Sequence, residues 1–165
     1  MEIKIRPYQT EDTQAILEIT NFNILHSTSL YDYEIRNYAQ QKAILEDKLN
    51  KGFPVIVAEF GGKAVGFGMY SEFRLREAYQ FTVEHSVYVN VNFQGKGIGK
   101  LLLQELIHLA RKQKRHTMIA VIDSENQNSV EFHQKFGFET VGVFKECGFK
   151  FDRWLHTVFM QLLLK

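Results

Sequence analysis

The sequence is poor in the residues that staple, interrupt or polarise a chain. It has one cysteine, Cys147, so no internal disulfide can form, which favours a reducing compartment. It has two prolines, Pro7 and Pro54, and no Pro/Gly/Ser-rich stretch that would read as a linker. Residues 1–165 therefore read as one domain. Neither sign of charge dominates. Twenty basic residues face nineteen acidic ones, for a net charge of +1. That lack of a basic footprint argues against nucleic acid as a partner. No run approaches the roughly 18 apolar residues of a membrane-spanning helix. The opening MEIKIRPYQTEDT is charged and carries no apolar signal-peptide core. The resulting expectation is a cytoplasmic protein without membrane contact.

What is present is a globular balance, 45% hydrophobic and 24% charged, enough for a sizeable core. Ile3 and Ile5 alternate with charged residues and predict a short strand ending at Pro7. Thr10 and Asp12 are placed to cap a following helix, and residues 35–50 predict a second. PVIVAEF, the turn GGK and AVGFGMYSEF read as a hairpin. QFTVEHSVYVN (80–90) is the longest strand candidate, rich in β-branched and aromatic residues. A helix over 97–114 follows, with Leu102, Leu103, Leu106, Ile107 and Ala110 at helical spacing and basic residues at its end. MIAVID reads as a buried strand, NSVEFHQKF as a short helix stopped by Gly137, and FETVGVFKECGF with RWLHTVFMQLLL as the last two strands. The pattern predicts a mixed α/β sheet with a strand–helix–strand unit at its middle.

The most specific stretch is VNFQGKGIGKLLLQELIHLA (91–110), with Gly95, Gly97 and Gly99 directly before the helix. A Walker loop needs G-x-x-x-x-G-K-[ST], which is absent. The dinucleotide fingerprint G-x-G-x-x-G fails on its third interval. The remaining reading is Q-x-x-G-x-G, formed by Gln94, Gly97 and Gly99. Glycines let the backbone approach a ligand closely. The first N–H groups of the helix are unpaired at the positive end of its dipole, a combination suited to a pyrophosphate. Lys96 and Lys100 add charge at the rim. A glycine-rich turn that binds nothing is the competing reading. The long strand before the loop and the long helix after it favour binding.

Q-x-x-G-x-G between strand and helix resembles the acetyl-CoA signature of the GNAT superfamily of N-acetyltransferases. YQFTVEHSVYV, GKGIGKLLLQELI, MIAVIDSENQNSVEFHQKFGF and VGVFKECGFKFDRW are similar to its phosphinothricin/methionine sulfoximine acetyltransferase branch, and the resemblance runs over nearly the whole chain. It implies an α/β (α+β) GNAT fold: a central mixed, mostly antiparallel sheet of about seven strands, about four flanking helices and a V-shaped splay between central strands. It implies acetyl-CoA as co-substrate, no metal, a small-molecule amine as acceptor and a homodimer. By position it implies that Val87, Tyr88 and Val89 pair with the pantetheine arm as an added strand would. The amides of Gln94, Gly95, Lys96, Gly97, Ile98, Gly99 and Lys100 would hold the pyrophosphate. Asn126, also readable as a helix cap, would sit near the thiol. Glu84 and His133 take the acid/base positions, and Tyr31, Arg74, Arg76 and Tyr79 the acceptor positions. One departure stands out. The branch usually has Asp after RWL, and this chain has His156, which leaves the late-strand side of the acceptor pocket open.

The implied reaction has its own demands. An α-amine with a pKa of about 8 to 9 is mostly protonated at neutral pH, so a base must take a proton before attack. Alternation places Thr82, Glu84 and Ser86 on one strand face and Val83, His85 and Val87 on the other. A carboxylate inside a central strand either faces a cleft or has a partner; Glu84 reads as the base or as one half of an Arg pair. His85 reads as structural, and His133 as a half-buried packing residue or a partner in proton handling. The Val87 amide or a neighbour is the candidate donor to the developing oxyanion. Arg74 and Arg76 suit a carboxylate or phosphinate, or form a solvated loop. Cys147 is read as packing rather than as a nucleophile. Other amines as acceptor, such as a polyamine or a protein N-terminus, and a non-catalytic acyl-CoA-binding module are the alternatives.

Overall fold

The computed structural model describes all residues from Met1 to Lys165. The elements run β1 (Lys4–Pro7), α1 (Thr13–His26), α2 (Tyr38–Asn50), β2 (Val55–Phe60), β3 (Lys63–Glu72), β4 (Thr82–Val89), α3 (Ile98–Lys112), β5 (Thr117–Asp123), α4 (Gln127–Gln134), β6 (Glu139–Lys150) and β7 (Arg153–Leu163). They form one seven-stranded sheet in the order β1-β2-β3-β4-β5-β7-β6. Only β4 and β5 run parallel; the other neighbours are antiparallel.

The period-2 alternation of β2 divides the core between the two faces of the sheet. Ile56 and Ala58 pack with Leu102, Leu103 and Leu106 of α3 and with Val130 of α4. Val55 and Val57 pack with Ile16 and Ile19 of α1 and Leu45 of α2. Burying each such aliphatic side chain contributes about 1.5–3 kcal/mol. The long helix α3 lies close to β3 because β3 offers it glycines. A Cβ on Gly68 would come within 3.0 Å of Leu106, and one on Gly66 within 3.3 Å of both Ile98 and Leu102. Close packing there presses the N-terminal end of α3 against the middle of the sheet.

The β4–β5 ladder is short. It pairs Thr82 with Thr117, Val83 with Met118 and Glu84 with Ile119, and then stops. Beyond that point β4 continues to Val89 bonded only to β3, and β5 continues to Asp123 bonded only to β7. Two free strand edges thus diverge from Glu84 and open the sheet into a wedge.

Some local expectations change. Asp12 does not cap α1: its carboxylate accepts from the Gln9 amide at 2.8 Å and pairs with Arg6 at 2.7 Å. Arg6 also binds Glu59 of β2, so the buried Asp12 ties the chain start to the sheet. Burial pushes the Asp12 carboxyl up, but the Arg6 and Gln9 hydrogen bonds outweigh it and leave the group below its usual range. Helix α2 begins later than expected, at Tyr38. Its cap is Asn37, whose side chain accepts from the Gln40 amide while the Gln40 side chain accepts from the Asn37 amide, a reciprocal capping box. Helix α3 begins at Ile98 behind Gly97, whose φ of 80° belongs to the left-handed region that glycine enters freely.

Candidate active site

The wedge between β4 and β5 is a cavity of about 630 Å³. Glu84 to Val89 line one side and Ala120 to Asp123 the other. Thr28 to Tyr31, from the α1–α2 connection, Gln94, Gly99 and the start of α4 complete the lining. This is the crevice at the carboxyl ends of the only parallel pair, where open α/β sheets place ligands.

The glycine loop has the features of an anion cradle. The backbone N–H groups of residues 94–100 donate to no protein acceptor; the first helical bond is from Leu101 to Gly97. Gly95 and Gly97 hold positive φ values of 73° and 80°. Gly99 faces the cavity, and a Cβ there would meet only Phe132 at 3.8 Å and Val89 at 4.0 Å. The Gln94 side chain donates to the Val89 carbonyl at 3.3 Å, holding the loop onto the end of β4. Lys96 and Lys100 are exposed, and Lys96 lies 5.0 Å over the Phe93 ring. The Ile98 side chain points into the core, so only its backbone faces a ligand. Asn126 caps α4 by accepting from the Ser129 amide at 3.1 Å, and it also lines the cavity. An unpaired amide run, a free strand edge and an open approach at Gly99 fit a pyrophosphate joined to an extended arm.

Glu84 sits where the wedge opens. Its carboxylate forms no ion pair. Burial pushes its carboxyl above the usual range, and the nearby charges of Arg74 and Lys48 draw it only partly back. Arg74 itself is exposed, with its guanidinium 5.1 Å over the Phe73 ring. Arg74, Arg76 and Tyr79 lie on the exposed β3–β4 connection rather than in the cavity wall. That connection rises from the same end of β4, because Ser71 pairs with Glu84 and the Phe73 amide donates to the Thr82 carbonyl.

His133 lines the cavity from α4, but its ring is fully engaged. Its Nδ1 lies 2.7 Å from the Ser129 carbonyl and must carry the proton there. Its Nε2 then accepts from His85 Nε2 at 3.0 Å. Burial lowers the pKa of both imidazoles, that of His85 to about 3, so the pair is neutral near pH 7. Strand alternation sets His85 and Glu84 on opposite faces of β4. Glu84 and His133 therefore reach the same cavity from its two sides, and His85, read from sequence as structural, belongs to its wall.

Tyr31 also borders the cavity. Its hydroxyl is 2.8 Å from Thr157 Oγ1, and burial raises its pKa. The segment carrying it is strapped down: Lys150 Nζ donates to the Ser27 and Leu30 carbonyls, Tyr33 donates to the Phe149 carbonyl, and Thr28 bonds Asp123 at 2.5 Å. Sequence reading missed Thr28, Ser29 and Asp123. Asp123 had a usable signal, since it ends the buried strand MIAVID beside the sheet's switch point. His156 does not line the cavity and accepts from the Glu146 amide through Nδ1 at 3.0 Å. Cys147 is exposed, 3.1 Å from Thr157 Oγ1.

This geometry has close counterparts. The chain is 38% identical to an L-amino acid N-acyltransferase of Escherichia coli strain K12, over 98% of this chain and 94% of that protein. It is also 38% identical to an L-methionine sulfoximine/L-methionine sulfone acetyltransferase of Salmonella typhimurium, over 97% and 94%. Identity is 35% to a phosphinothricin N-acetyltransferase of Alcaligenes faecalis, over 95% and 80%. An N-acetyltransferase crystal structure from Staphylococcus aureus Mu50 superposes with a TM-score of 0.98 at 39% identity, over all of both chains. An acetyltransferase from Salmonella typhimurium, solved with its cofactor acetyl-CoA, superposes at 0.97 and 36% identity, over 100% of this chain and 95% of that one. Residues 16–138 match the acetyltransferase (GNAT) family, and with the splayed seven-stranded sheet and the Q-x-x-G-x-G cradle in place, the chain belongs to that family.

Proposed function

We propose that this chain, as one catalytic domain, transfers acetyl from acetyl-CoA to the α-amine of a small amino-acid-like acceptor of the phosphinothricin or methionine sulfoximine kind. The observation that carries this reading is an unpaired, partly desolvated carboxylate, Glu84, at the opening of a wedge that is bordered at Gln94 and Gly99 by a loop whose seven amides, those of residues 94 to 100, are free. Acetyl-CoA supplies an acyl group already activated as a thioester. The amides of residues 94–100 hold its pyrophosphate, the free edge at Val87, Tyr88 and Val89 holds the pantetheine arm, and Asn126 sits at the thiol end. Glu84, directly or through water, takes the proton of the acceptor ammonium. The Val87 amide donates to the carbonyl oxygen. His133, kept neutral by burial, lines the same cavity and takes part in proton handling once its Nε2 is released from His85. Tyr31 borders the acceptor, and Arg74, Arg76 and Tyr79 reach its acidic group from the β3–β4 connection.

The test is thiol release from acetyl-CoA, followed spectroscopically, across a panel of amino acids with methionine sulfoximine and phosphinothricin included. Release with these acceptors and little with polyamines or peptide N-termini is expected. Cofactor binding without release for any amine would sink the reading and leave a binding module. Acetylation removes the positive charge these compounds carry at their α-amine, so we also assign the chain a role in resistance to them, in the cytoplasm. A homodimer is supported by the apolar residues that β6 and β7 leave exposed at the sheet edge, among them Val141, Val143, Phe144 and Trp154. Light scattering should return the mass of two chains, and a one-chain mass at working concentration refutes the pairing.

A further inference from the structure

We propose that His156 is a positioning residue for the acceptor end of the site: its imidazole pins the bulge in β6 that seats Tyr31. The inference rests on the reading of Tyr31 as an acceptor-side residue. It begins from the register of the terminal hairpin. Phe144 pairs with Thr157, and the next pairing is Gly148 with Leu155. Lys145, Glu146 and Cys147 therefore stand opposite His156 alone. A bulge of this kind leaves a backbone amide without a ladder acceptor. Here that amide belongs to Glu146, which turns into the left-handed region at φ 52° and donates to His156 Nδ1 at 3.0 Å. The His156 carbonyl accepts from the Ser124 amide at 2.9 Å, so the residue holding the bulge is also tied to the end of β5, next to the cavity.

What the bulge delivers is Gly148 beneath Tyr31. Gly148 is buried, and a Cβ on it would stand 2.8 Å from the Tyr31 ring. No side chain fits there. The Tyr31 hydroxyl is fixed at its far end by Thr157, the residue that flanks the bulge on β7. A one-residue slip of β6 would bring Cys147 or Phe149 under the ring and turn the side chains to the other face. Within the chain, β6 is the sheet edge and has no outer strand to enforce its register. The His156 hydrogen bond selects the register that keeps the glycine in place, and so sets where the Tyr31 ring bounds the cavity.

The experiment is steady-state kinetics on the full chain with methionine sulfoximine and acetyl-CoA varied separately. His156→Leu, which cannot accept the amide, should raise KM for methionine sulfoximine about 3- to 10-fold, the weight of one lost hydrogen bond, with KM for acetyl-CoA unchanged. His156→Asp, whose carboxylate can accept the same N–H, should restore the wild-type value. In a Tyr31→Ala background His156→Leu should add nothing. An unchanged acceptor KM, equal rises for both substrates, or a full added effect without Tyr31 overturns the proposal. Amide exchange at Glu146 reads the pin without turnover. Faster exchange in His156→Leu and wild-type exchange in His156→Asp are expected, and equal rates in all three overturn it. A wild-type protein that releases no thiol with any acceptor refutes the proposed function instead, and the exchange comparison then still decides the pin.

Discussion

Glu84→Gln should lower kcat by about 10²- to 10⁴-fold, the range that a positioned general base supplies, while acetyl-CoA binding measured by calorimetry stays at the wild-type level. The carboxamide keeps the shape of the side chain and removes the proton acceptor. Glu84 forms no salt bridge whose loss would disturb the fold. The pH dependence carries a sign that checks the same assignment. Burial pushes the Glu84 carboxyl up, against the opposing charges of Arg74 and Lys48. Only the ionised form accepts a proton, so kcat should fall as pH drops through a value above the ordinary carboxylate range. Arg74→Gln removes one opposing charge and should move that limb to still higher pH. For stability the sign reverses. A carboxyl raised in the folded state contributes stability at low pH that is lost as pH rises through the folded value. At neutral pH ionised Glu84 is therefore a net cost, and Glu84→Gln should melt no lower than wild type. An unchanged kcat, or a melting point lowered together with kcat, would remove Glu84 from the role.

The residues that were legible in the sequence are those whose neighbours along the chain determine their surroundings. The cradle could be read because Gln94, Gly97 and Gly99 sit between a strand and a helix, and unpaired amides at a helix start follow from that order alone. The β4 face carrying Glu84 follows from alternation. The splay itself was expected from the resemblance, and its physical form, a ladder of three pairs that ends at Glu84 and Ile119, depends on contacts between distant segments. The engagement of His133 by His85 is of the same kind, since the two residues are 48 positions apart. The strap from Lys150 to Ser27 and Leu30 spans 123 and 120 positions, and no local pattern announces it. Asp12 shows propensity giving way to tertiary structure: an acidic residue before a helix has the makings of a cap, but the Arg6 guanidinium and the Gln9 amide claimed its carboxylate first. His156 drew notice as a departure from the branch's pattern, and its role became visible only with the register of β6 against β7.

Gly99→Val should lower kcat/KM for acetyl-CoA by about 10²-fold, the scale of an ångström-level misplacement of a bound reactant. The loop glycines separate two effects that sequence alone would merge. Gly97 stands at φ 80°, where a side chain is strained whatever the surrounding space, so Gly97→Ala should lose about 1–2 kcal/mol of stability along with affinity. Gly99 has helical backbone, and the only atoms near an added Cβ are Phe132 at 3.8 Å and Val89 at 4.0 Å, ordinary contacts. The fold accepts a methyl there, and exchanging glycine for alanine within a helix contributes up to about 1 kcal/mol. Gly99→Ala should therefore melt at or above the wild-type temperature and still raise KM for acetyl-CoA, because the new methyl occupies the face along which a pyrophosphate must approach the amides of residues 94–100. Valine adds two more methyls to that face and enlarges the effect. Stability and affinity moving in opposite directions distinguish a cradle from a turn that binds nothing. In a mere turn, Gly99→Val would leave KM for acetyl-CoA at its wild-type value, and that single result would refute the assignment of the loop.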